Sequence, residues 1–248
     1  MDRKNYDAEI SLEKYHWWYV TRRSILKNIC DNYIKNKKEL SILEIGCGSG
    51  GNLSLLSKYG ELYAMESDDF AIKNANSKNI CEVRKGMLPD NIPYGKSFDI
   101  ICLFDVLEHI QDDRLSLQTV NKYLNSDGKI ILTVPAYMFL WSGHDIASHH
   151  KRRYTKGQIH QLLESTGFKK SYSSYFFSIL FTILAPIRII QKLLDRKIVR
   201  HDIKRENSIL NYLMIKIFSI ESKLLPYFSL PFGVSIVTIA DKKSNILE

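Results

Sequence analysis

Residues 41–53, SILEIGCGSGGNL, decide the fold. An apolar, β-branched run broken by one acid, Glu44, passes directly into four glycines, Gly46, Gly48, Gly50 and Gly51, within six positions. A strand that ends in such a loop and opens a helix turns backbone amides and a helix N-terminus toward a ligand, and glycine lets the chain approach it closely. Gly46, Gly48 and Gly51 satisfy G-x-G-x-x-G, the dinucleotide fingerprint. Glu66 stands twenty residues beyond Gly46, at the end of the next strand, where a carboxylate accepts hydrogen bonds from both hydroxyls of a ribose. The same loop also reads E-x-G-x-G-x-G from Glu44, Gly46, Gly48 and Gly50. An acid inside the strand repels a pyrophosphate and attracts a cation. S-adenosylmethionine, which carries an ammonium, a sulfonium and no phosphate, therefore suits the loop better than NAD.

Outward from the loop the chain alternates. LSILEI, ELYAME, ICEVRKG, FDIICLF and GKIILTVP are short apolar runs of strand type, separated by the helical patterns NLSLLSKY, DDFAIKNANS and RLSLQTVNKYL. Two later strands are expected at FKKSYSSYF and GVSIVTIAD. Strand–helix repetition of this kind gives a parallel sheet. The expected fold is α/β and Rossmann-like, a seven-stranded, mainly parallel sheet with helices on both faces and a helical insertion before the last strand. Residues 1–248 form one domain: an aromatic strap and a helix over 1–40, the helix being read from SILKNICDNYIKNKK, a cofactor-binding core over 41–176, a helical insertion or lid over 177–231 and the last strand over 232–241.

Composition narrows the function classes. With 45% hydrophobic and 25% charged residues the chain is a folded globular protein. Its net charge of +8 comes without a run of five or six bases, so no nucleic acid is expected and an anionic small molecule or membrane surface is favoured. Four cysteines with no C-x-x-C spacing fit neither a zinc site nor a disulfide framework, and the charged amino terminus has no apolar signal core. The expected location is the cytoplasm, with the inner face of the membrane as a second place. There, 175–205 would make peripheral contact: its uncharged part, Tyr175 to Ile187, is too short to span a bilayer, and Arg188, Lys192, Arg196 and Lys197 would meet anionic head groups. A core or lid helix is the other reading of that stretch.

LEIGCGSGGNL, AMESDDFAI, GMLPDNIPYGKSFDIICLFDVLEHI and GKIILTVPAY, in this order, resemble the successive motifs of class I S-adenosylmethionine-dependent methyltransferases over about Ile42 to Phe168. HWWYVTRR, WSGHDIASHHKRRYT and LPFGVS resemble a bacterial subgroup of these enzymes. The resemblance implies that Gly46, Cys47, Gly48 and Gly50 pass under the methionine part, Glu66 holds the ribose, Ser67 flanks the adenine, Met87 and Leu88 cover its edge, and Asp105 sits near the methionine end. Many relatives carry an acid where Met87 stands. The acceptor is read as an oxygen or nitrogen nucleophile of a small molecule, glycan or lipid-linked intermediate.

Catalytic candidates follow the fourth and fifth strands, at the edge where open parallel sheets bind ligands. His144 is the first candidate for removing the acceptor's proton, with Asp145 beside it to orient the ring, and His109 is the reserve. Each of these has a structural alternative: Asp105 as a helix cap, the histidines as packed side chains. His16, Trp17, Trp18, Arg22, His149 and Arg153 are the substrate-side candidates, although aromatics as dense as YHWWYV also make a packed strap. His144, Asp145, His149 and His150 lack a recognised ligand spacing, so no metal is expected.

Overall fold

The computed structural model describes residues 10–34, 40–194 and 207–243. Seven strands, β1 (Ser41–Ile45), β2 (Glu61–Glu66), β3 (Val83–Lys85), β4 (Phe98–Phe104), β5 (Leu124–Pro135), β6 (Phe168–Phe176) and β7 (Ser235–Lys242), form one sheet in the order β3-β2-β1-β4-β5-β7-β6. All pairings are parallel except those of β7, which runs antiparallel to both β5 and β6. Alternation along the strands divides the core. Ile42, Ile100 and Cys102 face one layer, while Leu43, Ile101 and Leu103 face the other. After β3 the chain returns to the far side of β1, so a topological switch lies between the carboxyl ends of β1 and β4.

The helices are α1 (Trp17–Tyr33), α2 (Leu53–Leu56), α3 (Asp69–Ser77), α4 (Asp113–Lys122), α5 (Gly143–Ala147), α6 (Lys156–Ser165), α7 (Ser178–Leu193) and α8 (Ser208–Leu224). The last two form the insertion ahead of β7. One expectation needs correction here. The aromatic strap is the first two turns of α1, capped by His16, whose Nδ1 accepts from the Trp18 amide at 3.3 Å. The helix starts there because Thr21, Arg22, Ile25, Leu26 and Ile29 continue one buried stripe. Trp17 stacks on Phe218 of α8 and Trp18 on Phe177, with ring centroids 5.3 and 4.7 Å apart. The Trp17 amide donates to Asn211 Oδ1 at 2.7 Å, and Asn28 donates to the Ser222 carbonyl at 2.8 Å. Glu221 of α8, buried, accepts the Ser178 amide at the start of α7. Among the described residues no helix is long and apolar enough to cross a membrane. Arg196 and Lys197 lie outside the described residues, as does the rest of 195–206.

Candidate active site

A cavity of about 720 Å³ opens at the switch point, walled by the loop after β1, the ends of β2, β4 and β5, and α1. At its glycine end, Gly46 has φ of 69°, and a Cβ there would stand 2.7 Å from Val106 Cγ2, so the turn admits only glycine. Glu66 lines the cavity with its carboxylate already fixed: Oε2 accepts from the Gly48 amide at 2.9 Å, and Oε1 accepts from the Ser67 and Asp68 amides at 2.7 and 3.1 Å. The Ser67 hydroxyl also donates to Oε1, at 3.1 Å, so the capacity to accept from a ribose hydroxyl remains at Oε2. Cys47, Gly48, Ser67 and Leu88 join this wall, and Met87, 57% exposed, forms its rim.

Two expected ligand contacts lie behind the wall. Gly50 has φ of 84° and an added Cβ would meet Leu53 and Ala75, so this glycine serves the packing of the loop on α2 and α3. Gly51 is the glycine that reaches the cavity in its place. Glu44 is 1% exposed beneath the loop, accepts from Asn52 Nδ2 at 3.1 Å, and does not line the cavity. Burial pushes its pKa up to about 7, with the Asn52 hydrogen bond opposing. Glu44 is therefore separated from the cavity by the loop above it.

At the other end α1 carries Arg22 into the cavity, where it pairs with Asp105 and donates to Thr133 Oγ1 at 2.6 Å. Asp105, with left-handed backbone at φ 57°, also accepts from Thr133 at 3.1 Å. Burial would raise its carboxyl, but Arg22 outweighs it and holds the group below the usual carboxylate range. Glu108, fully buried, has its pKa pushed well up by burial and then by Asp105. Burial lowers His109 to about 4, with His150 adding to the effect.

Asp145 is not the partner of His144. Its Oδ1 accepts from His150 Nδ1 at 2.9 Å and from Arg153 Nε at 2.7 Å, while Oδ2 accepts the Ser142 amide at 2.7 Å and Arg153 Nη2 at 3.0 Å. These bonds outweigh burial and hold Asp145 low. The reason is local: α5 ends at Ala147, and His149, with left-handed φ of 57°, turns the chain back so that the His150 amide donates to the Asp145 carbonyl at 2.9 Å. His144 stands at the cavity mouth with its outer edge in solvent. Crowding by the cleft walls, then His150, lowers its pKa.

Of the substrate-side candidates, Trp18, Arg22 and Arg153 line the cavity. His16, Trp17 and His149 do not: the first caps α1, the second packs on α8, and the third is the exposed turn residue. The sequence reading passed over Glu108, although it stands beside His109 in DVLEHI, and it named His150 without its pairing to Asp145.

The profile of a methyltransferase domain matches residues 17–172, well over half of the chain. The chain belongs to the methyltransferase domain family. Its relatives include proteins of Mycolicibacterium smegmatis and Mycobacterium tuberculosis, each described as a "Probable S-adenosylmethionine-dependent methyltransferase". They are 23% identical over 132 residues (52% of this chain, 51% of the relative) and 25% identical over 131 residues (51% and 48%). The chain thus spans about half the length of these curated relatives. A solved magnesium protoporphyrin IX methyltransferase from Synechocystis, with bound SAH, superposes with a TM-score of 0.53 at 13% identity, covering 90% of this chain and 82% of that one. The methyltransferase domain thus has the Rossmann-like sheet read from its sequence.

Proposed function

We propose that this methyltransferase domain transfers a methyl group from S-adenosylmethionine to an oxygen or nitrogen nucleophile of a small molecule, glycan or lipid-linked intermediate. The observation that carries the reading is the Glu66 carboxylate, held by three amides at the wall of a cavity whose near end is a glycine turn and whose far end is lined by His109, His144 and His150. The names of the curated relatives support the same cofactor, and the nicotinamide alternative draws no support from them.

Bound S-adenosylmethionine supplies a methyl group on a sulfonium, an electrophile that needs no further activation. Glu66 would take the ribose hydroxyls, Gly46 to Gly48 would run along the methionine part, and Leu88 with Met87 would cover the adenine. Asp105, held ionised by Arg22, would face the amino acid end. For the chain's own residues the task is to align the acceptor and take its proton. His144, at the cavity mouth, is the group proposed to receive that proton, while His150, Asp145 and Arg153 hold the floor beneath it. The exposed apolar faces of α7 and α8, whose exposed charged residues are Lys192, Lys216 and Lys223, favour an acceptor presented at an anionic membrane surface.

Calorimetry with S-adenosylhomocysteine and NAD, followed by mass spectrometry of candidate acceptors incubated with isotopically labelled S-adenosylmethionine, tests the reading. Saturable binding of the first and none of the second is expected, and the reverse sinks the proposal. His144→Ala should lower turnover by about a hundred- to ten-thousand-fold with cofactor affinity nearly intact. Wild-type turnover in that variant removes His144 from the chemistry.

A further inference from the structure

Three side chains of metal-ligand type meet at the acceptor end of the cavity. Glu108, His109 and His150 each offer a ligand atom, and these atoms all lie within 4.8 Å of one another on the cavity wall. Glu108 is the anomaly among them. Its exposure is 0%, and neither carboxylate oxygen accepts a hydrogen bond among the described residues. A carboxylate so placed is costly unless a cation or a proton answers its charge. The two nearby guanidinium groups are engaged elsewhere, Arg22 with Asp105 and Arg153 with Asp145.

His150 is held as a metal ligand is. His150 gives Nδ1 to Asp145 at 2.9 Å, which leaves Nε2 as its ligand atom. His109 stands beside it on the cavity wall. A carboxylate or carbonyl behind an imidazole fixes its tautomer and strengthens it as a ligand, and is the usual outer support of metal-bound histidine. The two rings meet edge to face, with centroids 4.6 Å apart.

We propose that Glu108, His109 and His150 bind one divalent transition cation of the zinc(II) type, with its remaining coordination positions open to the cavity. Two imidazoles and one carboxylate suit such ions, and three protein ligands with an open position are the arrangement of a catalytic site. Ligand atoms on one ion stand about 3.0 to 3.5 Å apart at the usual bond lengths, so binding draws the three side chains inward. The open position faces the acceptor, whose oxygen or nitrogen the cation polarises, easing passage of its proton to His144. That last role rests on the function proposed above; the binding of the cation does not.

Metal-free protein titrated with zinc(II) by calorimetry, and with cobalt(II) by visible absorption, decides the matter. One ion per chain is expected, with cobalt bands of nitrogen and oxygen ligation. Glu108→Gln and His150→Ala should each weaken binding by about tenfold or more, and Asp145→Asn by about 10- to 100-fold. His160→Ala, outside the cavity, should leave it unchanged. Absence of saturable one-to-one binding in the wild type, or equal affinity in the wild type and His150→Ala, overturns the site. His150→Ala keeps the test decisive should Glu108→Gln fail to fold. A protein that binds zinc but not S-adenosylhomocysteine would overturn the methyltransferase reading and leave the metal site standing. Binding of S-adenosylhomocysteine without zinc would overturn the metal site alone.

Discussion

Glu44 sits under the glycine loop with one carboxylate oxygen bonded to Asn52 and the other without a hydrogen-bond partner among the described residues. Burial raises its pKa to about 7 in the folded chain, whereas an unfolded glutamate titrates near 4.3. Between those values the folded state holds more protons than the unfolded one, so stability falls as pH rises from about 4.3 to about 7 and the full penalty is present above 7. Glu44→Gln should therefore stabilise the cofactor-free protein by about 1 to 3 kcal/mol at pH 8 and by much less at pH 5. Denaturant unfolding of both proteins at the two pH values measures this, and an equal effect at both would refute the shift. At this scale the sequence was legible where placement follows from spacing alone, as with Gly46, Gly48 and Glu66, which come together at the cavity wall. The pairing of Asp145 with His150 depends on one left-handed residue, His149, which no periodicity announces.

Strands were the most legible elements, because most are short apolar, β-branched runs, and β1 and β3 pass directly into a glycine. Helix α1 was read too short. WWY and RR at its start resemble a strap when the partner surface is unknown, and that surface, Phe177 and Phe218, comes from residues about 160 to 200 positions later. Removal of the stacked ring in Trp17→Ala should cost about 2 to 4 kcal/mol, somewhat below the range for a fully buried tryptophan. Affinity for S-adenosylhomocysteine should change little, since Trp17 does not line the cavity. Thermal unfolding and calorimetry on the same sample separate the two effects, and a large affinity loss at full stability would contradict the placement of Trp17.

For the whole molecule, the insertion leaves Ile183, Ile187, Ile190, Leu213, Ile217 and Ile220 in solvent, and α7 and α8 carry no exposed acid. On the membrane reading proposed above, each base near the lipid surface would contribute about 1 kcal/mol. The chain should co-sediment with phosphatidylserine vesicles, bind neutral ones more weakly, and lose binding in Ile187→Asp and Ile217→Asp. Equal binding to both vesicle types would remove the electrostatic part. Self-association that these variants abolish, without any vesicle binding, would assign the faces to a second copy of the chain.

Helix α1 belongs to two neighbourhoods at once. Trp17 is wedged against the insertion while Arg22, five residues on, grips Asp105 inside the cavity. A helix is stiff over so short a length, so its outer contact on α8 and its inner contact at Asp105 are held at a fixed separation. The same short helix thus ties the outer insertion to the charge pair inside the cavity, so the packing of α8 and the position of the Arg22–Asp105 pair share one rigid support.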